Sequence, residues 1–371
     1  MTITLDGTLG ITSPNETITG SLNTPNTFGF KNRIINGGMV IDQRNAGASV
    51  TPTTSGYNVD RWISELSLAS KFSVQQNAGG VTPPVGFTNY LGITSLSAYS
   101  IVASDYFMIT QYIEGYNIAD LGFGTASASP ITLSFQVRSS LTGTFGGALT
   151  NGATNYNYPF SYSIPVANTW TTISIPITGA TSGTWLATNG QGLTVNISLG
   201  MGSTRSGTAG SWQAANLHSA TGAVSVVGTS GATLYITGVQ LEKGSVATSF
   251  DQRAYSQELA MCQRYYETSY DIGTAPGAAW SLNGGMGIGT SFPTNTHRQS
   301  YPFKVPKRAV PTLTFYDATG ASGKYSYYTS TWNNGGTTFT VNGACSTALY
   351  WGISMASSVE AQAAYTASSE L

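Results

Sequence analysis

The sequence predicts an all-β protein. A short N-terminal β region leads into a central antiparallel jelly-roll sandwich, a short helix and a C-terminal β-sandwich, with three copies assembling as a homotrimer. Three observations carry this. Only 8% of the 371 residues are charged, against roughly 25% in an ordinary soluble domain. Gly, Ser, Thr and Asn fill the vacated positions, and these with Tyr suit strands and turns better than solvated helices. Apolar residues then alternate with polar ones at period two over most of the chain.

In chain order, residues 1–61 form the N-terminal region, 62–255 the jelly roll, 256–267 the helix and 268–371 the second sandwich. Along residues 1–30 the apolar positions are Ile3, Leu5, Leu9, Ile11, Ile18 and Leu22, broken by Gly, Pro and Asn. Two readings stay open: edge strands pooled among three chains, or a disordered tail. Residues 31–61 gather Lys31, Arg33, Asp42, Arg44, Asp60 and Arg61. Arginines beside carboxylates imply ion pairs that set register between chains or domains.

Strand signals are strongest from 62 to 250. Ile131, Leu133, Phe135 and Val137 alternate with Thr132, Ser134, Gln136 and Arg138. Leu193, Val195, Ile197 and Leu199 repeat the rule, as do Phe160, Tyr162 and Ile164, then Thr171, Ile173, Ile175 and Ile177. In TLYITGVQLE the apolar phase switches at Gly238, which predicts a β-bulge. SQELAMCQRYYE at 256–267 reads as the helix, with Ser256 as N-cap and Glu258 in the first turn. Leu259, Cys262 and Tyr266 form a narrow stripe along it. That stripe packs on its own sandwich or forms a seam between copies. Strand alternation resumes at Phe303 and Val305, Leu313 and Phe315, Phe339 and Val341, and Leu349, Trp351, Ile353 and Met355.

The net charge of −1 lacks the electrostatic footprint of a nucleic-acid binder, and so little self-repulsion favours association. No run of about 18 apolar residues is present, so no membrane insertion is expected. MTITLDGTLG has neither the basic nor the apolar region of a signal peptide. Cys262 and Cys345 are read as free thiols.

Motifs for catalysis are absent. His218 and His297 stand far from each other in sequence and in no protease or zinc spacing. There is no Walker A loop and no GxSxG elbow. Glycoside cleavage needs paired carboxylates about 5–10 Å apart. The candidates are Asp251 with Glu258, Glu267 with Asp271, and Asp105 with Glu114; the first two pairs flank the helix and read better as caps or ion-pair partners. The chain is expected to be no enzyme, with no catalytic residue, metal or cofactor.

Sugar binding needs aromatic faces with amides or charges beside them. YSYYTSTWNNGG offers Tyr325, Tyr327, Tyr328, Trp332, Asn333 and Asn334, with core or interface packing as the plainer role. A basic run supplies Arg298, Lys304, Lys307 and Arg308 as contacts for an anionic glycan, with a solvated turn as the plainer role. Trp170, Trp185 and Trp212 are further candidates to line a groove on the sandwich, while Trp62 and Trp170 also read as core.

NRIINGGMVIDQRN, NVDRW, LSFQVRSSLTGTFGG, ANTWTTISIPI, GTW, LYITGVQLEKGSVATSF and ELAMCQRYYE resemble a set found in tail-fibre and receptor-binding proteins of tailed bacteriophages. The resemblance runs from about residue 31 to about 267, and the last residues, WGISMASSVEAQAAYTASSEL, share it. It implies a central carbohydrate-binding-module-like jelly roll and a homotrimer. The N-terminus would meet tail or baseplate proteins, and the C-terminus would face host-surface polysaccharide such as lipopolysaccharide. It also implies synthesis in the host cytoplasm and a place in the virion tail, in keeping with free thiols. The alternative is a structural virion protein, a head fibre or baseplate connector, that binds only other virion proteins.

Overall fold

The computed structural model describes residues 31–281, 285–288, 296–354 and 360–371. The readings on residues 1–30 and on Met355 lie outside them.

Thirteen strands build the first unit: β1 (Gly56–Val59), β2 (Trp62–Leu66), β3 (Phe72–Gln76), β4 (Leu91–Ser95), β5 (Tyr106–Glu114), β6 (Ile131–Ser139), β7 (Gly143–Asn151), β8 (Asn157–Ile164), β9 (Thr171–Ile177), β10 (Gln191–Met201), the two-residue β11 (Ser206–Gly207) and β12 (Ser219–Ala220), and β13 (Thr233–Lys243). A six-stranded sheet runs β1-β2-β5-β10-β7-β8 and a five-stranded sheet runs β3-β4-β13-β6-β9. Pairing in both is antiparallel, and the strand order is that of a jelly-roll-like sandwich. The alternation read in the sequence is the inward face: Leu133, Phe135 and Val137 of one sheet meet Leu193, Val195 and Ile197 of the other in one core. Ile34 and Met39 are fully buried in the same core, so the sandwich takes in chain upstream of the expected boundary at 62. Register slips between Thr237 and Gln240, and Gly238 has φ +62°. This is the expected bulge, at a φ that favours glycine.

The helix α1 spans Tyr255–Gln263 and starts at Ala254, with no side-chain cap. The expected Ser256 cap is therefore absent, and Tyr266 lies beyond the helix, on a strand. Cys262 and Tyr265 are buried with Ile35 and Ile41, and Leu259 packs against them. The stripe is thus met by the protein's own chain. Glu258, in the first turn, accepts from Asn36 N–H and pairs with Arg253.

A second unit follows: β14 (Tyr266–Thr268), β15 (Met286–Ile288), β16 (Thr296–Pro302), β17 (Thr312–Tyr316), β18 (Tyr325–Tyr328), β19 (Trp332–Gly336), β20 (Phe339–Ala344), β21 (Ala348–Ser354) and β22 (Ala361–Ser368). Strand β22 pairs with β14, β15, β17 and β18, and β16-β21-β20 form a separate sheet. Phe315, Leu349, Trp351 and Ile353 lead a distinct core. Phe303 is buried just past β16 and does not belong to a strand.

The scarce charges collect where the units meet. Glu370 lies between Arg44 (2.6 Å) and Arg61. Arg61 stacks on Tyr265 at 3.6 Å and Arg44 on Tyr266 at 3.8 Å. Glu114 accepts from Arg264 and from the Tyr265 hydroxyl. Within the first unit, Arg33 grips Asp120 with two bonds of 2.8 Å. Ion pairs expected to set register therefore join parts of one chain. Cys262 and Cys345 form no disulfide, and burial pushes the Cys262 thiol well up.

Candidate functional site

The five-stranded sheet turns a polar face outward because its strands alternate. On β6 that face carries Ser134 and Gln136, and on β9 it carries Thr172 and Ser174. Register places Ser134 opposite Ser174 and Gln136 opposite Thr172. Gln136 Nε2 donates to Thr172 Oγ1 at 2.8 Å, which fixes the amide. Beside this floor the bulge lowers the wall. A Cβ on Gly238 would lie 2.5 Å from the Phe87 ring, so the ring occupies the space a side chain would need. Phe87 packs edge-on to Phe250, with centroids 5.0 Å apart.

Two loops supply those rings, and polar bonds hold both. Gln252 Nε2 donates to Gly86 O at 2.9 Å. Glu242 accepts from Thr248 N–H and Oγ1–H. Lys31 donates to Ser249 O. The result is an open groove of about 370 Å³. None of the residues that line it is ionisable. One row along the same face, Tyr90, Tyr235 and Trp170 form an aromatic cluster, with Trp170 Nε1 donating to Thr82 O. Arg138 closes that end, lying over Tyr235 and donating to Asn168 O.

The three tryptophans named from the sequence do not share one groove. Trp185 and Trp212 meet edge to face at 5.4 Å, pack with Phe123 and Tyr156 and donate to Ser182 O and Thr178 O. Trp62 is core, as expected.

In the C-terminal unit the structure divides the predicted aromatic set. Tyr325 is buried against Phe339 and Trp351, so its ring is core and offers no face to a ligand. Tyr327 is half-buried beside it. Tyr328 is exposed and faces Trp332 across the β18–β19 hairpin, centroids 5.6 Å apart. The Asn333 amide donates to Thr329 Oγ1 and Thr331 O, and Asn334 Oδ1 accepts from Ser326. Both asparagines thus bond within their own hairpin.

The basic run serves structure more than surface. Lys307 is fully buried, bonded to Glu267 at 2.6 Å and to Gln263 O, so it cannot reach an anionic sugar. Arg308 donates to Ser369 O, Glu370 O and Asn189 O. Lys304 is exposed, and its ammonium donates to Thr268 O. The Arg298 side chain lies outside the described residues. Of the carboxylates weighed for cleavage, Glu267 is engaged by Lys307 and the Tyr365 hydroxyl and Asp105 by Ser67, Tyr99 and Val102 N–H, while Asp271 is exposed. Among the described residues no group of three His, Cys, Asp or Glu could hold a metal ion.

No family model and no curated protein matches the chain. Among solved structures it is similar to the enzymatically active domain of tailspike protein 4 from bacteriophage CBA120, at 12% identity over 57% of this chain with a TM-score of 0.30. The match spans 21% of that tailspike chain. A putative sugar-binding protein from Bacteroides thetaiotaomicron matches at 10% identity over 58% of this chain and 100% of its own, TM-score 0.33. A family 11 carbohydrate-binding module from Clostridium thermocellum, in complex with a mixed-linked tetrasaccharide, matches at 12% identity over 53% of this chain and 97% of its own, TM-score 0.27. Likeness at this level assigns neither ligand nor family.

Proposed function

We propose that this protein is a receptor-binding fibre of a tailed bacteriophage, acting as a homotrimer in the virion tail and adhering to host-surface glycan without cleaving it. The groove on the five-stranded sheet carries the reading. Its floor of hydroxyls and a fixed amide suits sugar hydroxyls, and the Phe87 and Phe250 rings suit sugar C–H faces. With no charge in its lining, the groove fits an uncharged stretch of polysaccharide. The sequence segments that resemble those of tail fibres support the phage context. Three copies would give avidity, so one weak site suffices. The reading needs no cofactor and assigns no catalytic residue. The Tyr328–Trp332 pair is a second contact on the host-facing unit.

Affinity electrophoresis through gels of neutral polysaccharide (dextran, mannan, xylan) tests the reading. Wild-type protein should be retarded by at least one, and Phe250→Ala and Gln136→Ala should run free. Equal mobility of all three proteins in every gel removes the glycan reading. A second reading stands on the rim of the same groove, where Val85 is fully exposed, and on Val246, 72% exposed and next in sequence to the lining residue Ala247. Such apolar exposure suits contact with another virion protein, and it predicts binding to purified virions lacking the fibre but not to cells.

A further inference from the structure

A separate cavity of about 350 Å³ lies where the helix, the loop from Val40 to Ala46 and the turn after β14 converge. This is at the small end of the size range of ligand pockets. One wall is a helix stripe, Tyr255, Leu259 and Gln263, at i, i+4 and i+8. The opposite wall is Ile272, which is 72% exposed, and Tyr255 is 47% exposed across from it. Most polar groups around the cavity are already used. Asp42 accepts from the N–H groups of Arg44, Asn45 and Gly47. The Gln43 amide donates to Asp60 and Tyr266 O, and that of Gln76 donates to Met39 O.

Gln263 is the exception. The residue is only 6% exposed, yet among the described residues no hydrogen-bond partner meets its carboxamide. Its polar atoms are not sealed in the interior: they open on the cavity, where a guest's hydroxyls can meet them without displacing any hydrogen bond of the protein. Lys304 and Asp271, exposed and of opposite sign, also line it, so no net field selects an ion. The ligand this favours is uncharged, rich in hydroxyls and flat enough on one C–H face to lie against Tyr255.

We infer that the cavity is a second saccharide site, distinct from the groove, which takes a single terminal sugar residue with Gln263 bonding its hydroxyls and Tyr255 carrying its apolar face. An open groove accepts the middle of a chain, whereas a pocket of this size accepts an end.

Saturation-transfer NMR with the methyl glycosides of glucose, galactose, mannose and N-acetylglucosamine tests this. At least one glycoside should receive saturation from wild type and equally from the groove variant Phe250→Ala. Tyr255→Ala, a change at an exposed position, should abolish that transfer. Gln263→Leu keeps the shape, removes no hydrogen bond within the protein and should weaken binding roughly tenfold. Transfer to none of the four, transfer that survives both pocket substitutions, or transfer lost in Phe250→Ala and kept in Tyr255→Ala would each overturn the inference. The last outcome leaves the groove reading standing.

Discussion

Two buried titratable groups should oppose each other in setting how stability varies with pH. Burial pushes the Asp60 carboxyl up from 3.8 to about 6, against the opposing pull of Arg44 and the two bonds from Gln43. Burial, with Arg205 nearby, brings His218 down from 6.5 to about 4. The folded protein therefore binds more protons than the unfolded chain at Asp60 between about pH 4 and 6, and stability there falls as pH rises. At His218 the unfolded chain binds more protons between about pH 4 and 6.5, so stability there rises with pH. Each gap of roughly two pH units corresponds to about 3 kcal/mol, so the two slopes largely cancel in the wild type. Asp60→Asn removes the first slope. Its stability relative to wild type should rise by about 3 kcal/mol from pH 4 to 7. His218→Gln should show the reverse, a relative fall of similar size over the same range. Urea unfolding at pH 4, 5, 6 and 7, with each variant compared to wild type at the same pH, isolates these terms from every other carboxylate. Differences that stay constant across that range would refute the argument.

Lys307→Met strands Glu267 in the interior and should cost the C-terminal unit about 3–5 kcal/mol in urea unfolding. Adding Glu267→Gln should restore part of it, because Lys304 N–H and the Tyr365 hydroxyl still meet the amide oxygen; a double variant as weak as the single one counts against a charge effect. Gly238→Val places a Cβ against the Phe87 ring at a φ that valine resists, and should lose about 1–3 kcal/mol and all polysaccharide retardation. Trp332→Ala in an otherwise wild-type chain should change stability by less than about 1 kcal/mol and reduce adherence to host cells. Undiminished adherence removes the hairpin from the reading.

The sandwich was legible because period-two alternation in segments such as ITLSFQVR reports directly which side chains face a core, and a phase switch at glycine reports a bulge. The helix end was not. Tyr266 continues a helical stripe in sequence, but it pairs with Ser368 of β22, a partner about a hundred positions away that no local pattern reveals. Tyr325 shows the limit of alternation: YSYY has two faces, and what turns one inward is the room left by Ala361, Ala363 and Ala367 on β22. Lys307 and Arg308 read as surface because no acid stands near them in sequence, whereas their partners come from β14 and from residues 369 and 370. Alternation put Ser134 and Gln136 on the face away from the core, but nothing in the pattern marked that face as a groove, and the tryptophans read as its lining lie elsewhere or in another cluster. Phe87 and Phe250 sit on loops without period, and only the folded chain shows them meeting.

Strand β22 has a consequence for how the protein is made. A ribosome delivers it after β14, β15, β17 and β18, all of which hydrogen-bond to it. Those earlier segments leave the exit tunnel with the edges that β22 will fill still open, β18 having only its hairpin partner β19, while the sandwich upstream already holds every strand it needs. Synthesis thus separates an early, self-sufficient half from a late one that closes only when its organising strand arrives. Any nascent product cut short of residue 361 would display open strand edges instead of a closed sheet.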